Sequence, residues 1–176
     1  MKLTKSKLKQ IIKESIEDEY REKLLQIFKA GNHQQAIELS KQVGMKDFLV
    51  GIDLRRADLS GANLSDAVLR GANLRLAELL GANLKDANLK DANLSVTNLY
   101  NANLEGANLS GARLTTAALY NANLSGANLS GADLRRTDLR SVNLSGADLT
   151  DADLSGAYLK NIKYDKSTIW PKGFKP

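Results

Sequence analysis

The chain offers few residues suited to covalent chemistry. It has 176 residues, no cysteine and one histidine, His33. Without thiols there is no disulfide framework, no thiolate nucleophile and no cysteine-type zinc site. A lone histidine also excludes a His-rich metal centre. His33 falls at the start of a predicted helix with no positioned partner, so it reads as a surface or cap residue rather than a general base. Ser-Gly pairs such as Ser60-Gly61 lack the strand–turn–helix setting of a nucleophile elbow and read as turn residues. Asp133 and Asp153 are carboxylates that could share a cation, but a solvated pair is the expectation. No glycine pattern opens a helix after a strand, so no phosphate loop is indicated. An enzyme needs polar groups converging in a pocket. The expectation is therefore a protein that is not an enzyme, with no catalytic residue, metal, cofactor or small-molecule substrate.

Charge excludes a second class. The net charge is +5, with a sequence pI near 9.4, yet the basic excess lies at the two ends and the middle is near neutral. Lys5, Lys7, Lys9 and Lys13 are diluted by Glu14, Glu17, Asp18, Glu19 and Glu22. That is a solvated helix face rather than the concentrated basic stripe of a nucleic-acid reader, and no nucleic-acid partner is expected. The N-terminal MKLTKSKLKQIIKES has lysines throughout and no apolar run of secretory type. No window approaches the ~20 apolar residues of a membrane helix, so a cytoplasmic location without membrane contact is expected.

What positions the side chains is a repeat. Leucine stands at every fifth position from Leu54 to Leu159. Two residues before it sits alanine, replaced only by Ile52, Thr97, Thr137 and Val142. The residue just before the leucine is usually Asn or Asp. A period of five matches neither 3.6 nor 2, so no long helix or plain strand could gather these leucines on one face. Gly, Asn, Asp and Ser crowd the two remaining positions, which is turn chemistry. Four turns close a square, so each coil takes twenty residues, with Leu and Ala pointing inward. Successive coils would stack at roughly 4.8 Å, and 5.5 coils would span about 26 Å.

Tandem A-(D/N)-L-x-x over residues 52–161 resembles the pentapeptide repeat family. The resemblance implies a mainly β solenoid, a right-handed quadrilateral β-helix. Some members of that family mimic DNA and bind type II topoisomerases through a negative rod. Here the repeat region is near neutral, interleaves Arg70, Arg113 and Arg135 among its acids and has no insertion to form a projecting loop. Topoisomerase modulation is therefore the second reading. The first is a scaffold that meets a protein partner.

Residues twenty apart should share an outer column. Asn63, Asn83, Asn103, Asn123 and Asn143 form a candidate asparagine ladder. Leu80, Tyr100 and Tyr120 form another column, with Leu76 and Val96 beside them. These five make an outward apolar and aromatic patch, the candidate protein-interaction site. The alternative is that the N-terminal helices fold back and bury it.

The ends complete the organisation. Residues 1–50 are expected to form a two-helix cap, residues 51–161 the β-helix and residues 162–176 a short C-terminal cap, because a solenoid otherwise exposes its core at each end. Leu8, Ile12, Ile16, Tyr20, Leu24 and Phe28 place one apolar stripe on the first helix. Ala30-Gly31 ends that helix, and Asn32 with Gln35 is expected to cap the next. The tail holds Tyr164, Ile169, Trp170 and Phe174. Its Trp-Pro and Gly-Phe pairs resemble the ends of cyanobacterial pentapeptide repeat proteins. A capped monomer is expected rather than a dimer.

Overall fold

The computed structural model describes the backbone of residues 5–176 and the side chains of residues 14–176. The chain divides into two compact units, residues 1–48 and residues 49–176.

The first unit is helical. Helix α1 spans Lys5–Lys29 and α2 spans His33–Gln42. Each ends on a glycine in the left-handed region, Gly31 at φ 88° and Gly44 at φ 76°. The Asn32 N–H reaches back to the Ile27 carbonyl (3.2 Å), and the Met45 N–H to the Ser40 carbonyl (2.8 Å). These bonds satisfy carbonyls that the helix ends leave open. Asn32 occupies the N-cap of α2, but its side chain makes no capping bond. The backbone of Asn32 serves both helices, closing α1 through its N–H and accepting from the Ala36 N–H at 3.0 Å, and its φ of −85° and ψ of 52° lie outside the extended conformation that aims an N-cap side chain at the first turn. Among the described residues of the α1 stripe, packing is confined to the C-terminal part. Leu24 and Phe28 are buried, whereas Ile16 and Tyr20 are exposed; Leu8 and Ile12 lie outside the residues whose side chains are described. Phe28 meets Phe48 and His33 edge-on, with ring centroids 6.2 Å and 4.7 Å apart.

The second unit is a column of coils. The leucines from Leu54 to Leu154 are buried at every repeat, and so are the repeat alanines from Ala62 to Ala152. Parallel bridges join residues twenty apart, from Asp53↔Asn73 through Asn143↔Lys163. The expected β character takes a reduced form, because no continuous strand is present among the described residues. Each side of the square is one isolated bridge between two corners, since a turn every five residues leaves no room for more than a short extended piece. The backbone is nevertheless satisfied from coil to coil. The Leu64 N–H donates to the Asn83 carbonyl at 2.7 Å, and the Asn83 N–H to the Ala62 carbonyl at 2.9 Å.

Corner geometry explains the composition. The Ala67 N–H donates to the Leu64 carbonyl at 3.1 Å, and the residue between, Asp66, has φ 59°. That is a β-turn whose third residue must be left-handed, hence Gly, Asn or Asp. The residue before each leucine does a second job. The Asn63 side-chain oxygen accepts the Ser65 N–H at 3.2 Å, and the same bond recurs from Asn83 to Lys85 and from Asp133 to Arg135. Asn and Asp are therefore favoured there because each closes the corner that follows it.

The tail continues the coil with one slip. Lys163 pairs with Asn143 at the normal spacing, but Ile169 pairs with Asp148, one residue late. The extra residue lies in the corner at Asp165–Thr168, where Asp165 accepts from the Ser167 N–H and the Gly146 N–H. Thr168 takes an inward position and donates its hydroxyl to the Leu144 carbonyl at 2.9 Å. Trp170 stacks on Phe174 at 5.3 Å and meets Tyr164 edge-on at 5.5 Å.

Candidate interaction surface

The inward positions leave no chemistry inside the column. They hold leucine and alanine, and where threonine replaces alanine its hydroxyl is satisfied. Thr97 donates to the Leu94 carbonyl, and Thr137 to the Leu114 carbonyl at 2.9 Å. The functional surface must therefore be built from outward residues.

One face departs from the rest. Its central column runs Asp58, Glu78, Asn98, Ala118, Asp138, Tyr158. On one bordering corner stand Leu76 and Val96, and on the other Leu80, Tyr100 and Tyr120. Leu80 is 45% exposed, Val96 44%, Tyr120 41% and Tyr100 37%; Leu76 is partly exposed. Tyr100 and Tyr120 sit 5.7 Å apart at a 51° tilt, and the Arg140 guanidinium lies 5.8 Å from the Tyr120 ring centroid. That geometry suits a cation–π contact and holds the aromatic pair in place. Arg140 is itself clamped by Asp138, with Nε and Nη2 donating to the two carboxylate oxygens at 2.8 Å and 2.7 Å.

The corner beside this face is strained. Leu76, Val96 and Thr116 adopt φ of 63°, 60° and 57° on three successive coils. Bulky and β-branched residues seldom adopt that region, and each costs of order 1–3 kcal/mol there. Most other corners place Gly, Asn or Asp at the equivalent point. Sequence reading found the side chains of Leu76 and Val96 but not this strain, because the left-handed residue is identified only once the turn is seen.

Leu76 also lines a shallow cleft of about 480 Å³ with Asp53, Arg55, Arg56 and Arg75. Asp53 holds Arg55, with Nε and Nη2 donating at 2.9 Å and 2.7 Å, and that bond lowers the Asp53 pKa. Arg56 and Arg75 have no ion-pair partner among the described residues. The apolar patch and an arginine cleft are thus continuous through one side chain. The other sites weighed from sequence find structural roles. Arg135 lies between Asp133 and Asp153, at 2.7 Å and 3.7 Å, where a cation would have been placed. His33 packs on Phe28, and burial lowers its pKa. No group of three or more metal-type side chains occurs among the described residues. The asparagine ladder forms, with Nδ2 to Oδ1 distances of 3.1, 3.4, 3.3 and 3.1 Å from Asn63 to Asn143. None of the described helices is long and apolar enough to cross a membrane.

Comparison with known proteins follows the same line. The family described as pentapeptide repeats matches residues 48–75, 77–115 and 117–161. A pentapeptide repeat protein (Rfr23) of the cyanobacterium Cyanothece 51142 is 46% identical, with a TM-score of 0.53 over 53% of this chain and 63% of that one. A pentapeptide repeat protein of the Arabidopsis thaliana thylakoid lumen is 38% identical, with a TM-score of 0.48 over 62% of this chain and 72% of that one. HetL, a pentapeptide repeat protein involved in heterocyst differentiation regulation in Nostoc, is 39% identical, with a TM-score of 0.38 over 65% and 62%. This chain therefore spans less than two thirds of the length of the Cyanothece and Nostoc proteins. No curated protein matches it. The repeat, the coil register and the family match together establish that the chain belongs to the pentapeptide repeat family, whose fold is known as a right-handed quadrilateral β-helix.

Proposed function

We propose that this protein is a non-enzymatic scaffold that binds a partner protein through the face carrying Leu76, Leu80, Val96, Tyr100 and Tyr120. The observation that carries the reading is the exposure of those side chains together on adjoining corners of an otherwise polar column. Exposed apolar side chains clustered on one face are a mark of an interaction site, and tyrosine supplies large, rigid contact area. The strain at Leu76 and Val96 supports it, since a corner built only for stability would hold Gly or Asn. The packed Leu and Ala interior supports the non-enzymatic part. The scaffold is a right-handed quadrilateral β-helix, acting as a monomer in the cytoplasm.

The test is affinity capture with the full chain against its Tyr100→Ser/Tyr120→Ser variant. The reading expects at least one specifically captured protein to be lost from the variant. An identical captured set from both would overturn it.

A further inference from the structure

Six of the eight arginines of the repeat region stand on the two corners that border this face: Arg55, Arg56, Arg75, Arg135, Arg136 and Arg140. Arg70 and Arg113 lie elsewhere. Three of the six are saturated within the chain, because Asp53 holds Arg55, Asp133 holds Arg135 and Asp138 holds Arg140. The other three, Arg56, Arg75 and Arg136, are exposed and have no ion-pair partner among the described residues. They are not scattered. Arg56, Leu76, Val96, Thr116 and Arg136 follow one another up one column, with Gly156 beyond, so Arg56 adjoins Leu76 directly while Thr116 stands between Val96 and Arg136, and Arg75 adjoins Leu76 in the cleft. The apolar patch is thus bracketed along the column axis by unpaired guanidinium groups.

We infer that the occupant of this face is a segment of a partner protein with apolar or aromatic side chains at its centre and carboxylates at both ends. The inference rests on the reading of the face as a protein-docking surface and adds the chemistry of what docks. A partner covering Leu76 and Val96 must either desolvate the arginines at both ends or meet them with anions. Desolvating an unpaired charge is costly, while a guanidinium meeting a carboxylate can form two parallel, charge-assisted hydrogen bonds. A lysine-rich segment with the same apolar centre would be repelled at both ends. Four coils separate Arg56 from Arg136, about 19 Å at the interstrand spacing. A helix of about 13 residues covers that distance. A nucleic-acid strand fits less well. Leu76, Val96 and Leu80 offer nothing to phosphate.

The test uses displayed random peptides of about 15 residues, long enough for the span. They are selected on the full chain and counter-selected on its Tyr100→Ser/Tyr120→Ser variant. The enriched peptides should carry Asp or Glu at both ends and Leu, Ile, Phe or Trp between. Their affinity should fall at least about tenfold in the Arg56→Glu/Arg75→Glu/Arg136→Glu variant. On the unaltered chain the same peptides should weaken markedly as salt is raised, a readout independent of any substitution. Enriched peptides that depend on the tyrosines but are neutral or basic, and indifferent to salt and to the arginine reversals, would overturn this inference and leave the docking face standing. No tyrosine-dependent enrichment would overturn both. Binding of a labelled single-stranded oligonucleotide that is lost in the arginine variant but not in the tyrosine variant would reassign the arginines to nucleic acid and overturn the inference.

Discussion

Val96 and Asp133 show how single side chains set stability against use. At φ 60°, Val96 holds a conformation that asparagine accepts with less strain. Val96→Asn should therefore raise unfolding stability by about 1 kcal/mol, read by urea denaturation, while weakening whatever binds the patch. A variant that is less stable than the parent would contradict the strain argument. Asp133 is different. Hydrogen bonds from the Arg135 side chain, aided by those from the Arg135 backbone and the Thr115 hydroxyl, bring its pKa from 3.8 down to about 2. Asp138, Asp148, Asp153 and Asp165 are lowered as well, first by hydrogen bonds from the side chains of Arg140, Thr150, Ser155 and Ser167. A depressed carboxylate pKa stabilises the folded state fully above the unfolded value and loses that contribution as pH falls through the folded one. Melting temperature should therefore hold from pH 7 to about pH 5 and fall between pH 4 and pH 2. Asp133→Asn should shallow that fall, and an unchanged profile would show that Asp133 contributes nothing to it.

The repeating element of the fold is the corner. Residues 86, 106 and 126 occupy one column, as Asp86, Gly106 and Gly126. Gly106 and Gly126 share a φ of 66°, but a Cβ on Gly106 would collide with the Asp86 carboxylate, whereas one on Gly126 meets open space. Both Gly→Ala changes should cost about 1 kcal/mol through backbone strain. Gly106→Ala should cost measurably more, because Asp86 must also move; equal losses in thermal unfolding would refute that difference. Much of this element was legible in the sequence. The five-residue period placed the buried leucines from Leu54 to Leu154, although Leu159 in the same register is only half-buried, and the twenty-residue spacing placed the Asn63–Asn143 ladder. The Asn32 side-chain cap was misjudged, because the tight link from Gly31 leaves Asn32 at φ −85° and ψ 52°, outside the extended N-cap conformation, which residue type does not reveal. The one-residue slip at Asp165–Thr168 was not legible either. It depends on the Asp165 carboxylate closing a corner one residue longer than the others, which residue type alone does not reveal.

At the scale of the whole molecule, an inert interior supports a differentiated surface. Leu104 is fully buried in mid-column, and a charge there has no partner and no water. Leu104→Asp should abolish the cooperative unfolding transition, and Ala107→Phe should overpack the square, costing at least about 1–3 kcal/mol. The candidate face was partly legible. Stacking by twenties found Leu76, Leu80, Val96, Tyr100 and Tyr120. The bracketing by Arg56, Arg75 and Arg136 emerged only when the ion pairs of Arg55, Arg135 and Arg140 set those three apart. The central claim is that this one face, and not the column in general, meets a protein. A photo-crosslinking residue placed at position 100, and separately at Ser110 on another corner, tests it most directly in cells that express the protein. The account predicts a discrete protein adduct from position 100 that is absent from position 110. Equal adducts from the two positions, or none from position 100, would contradict it.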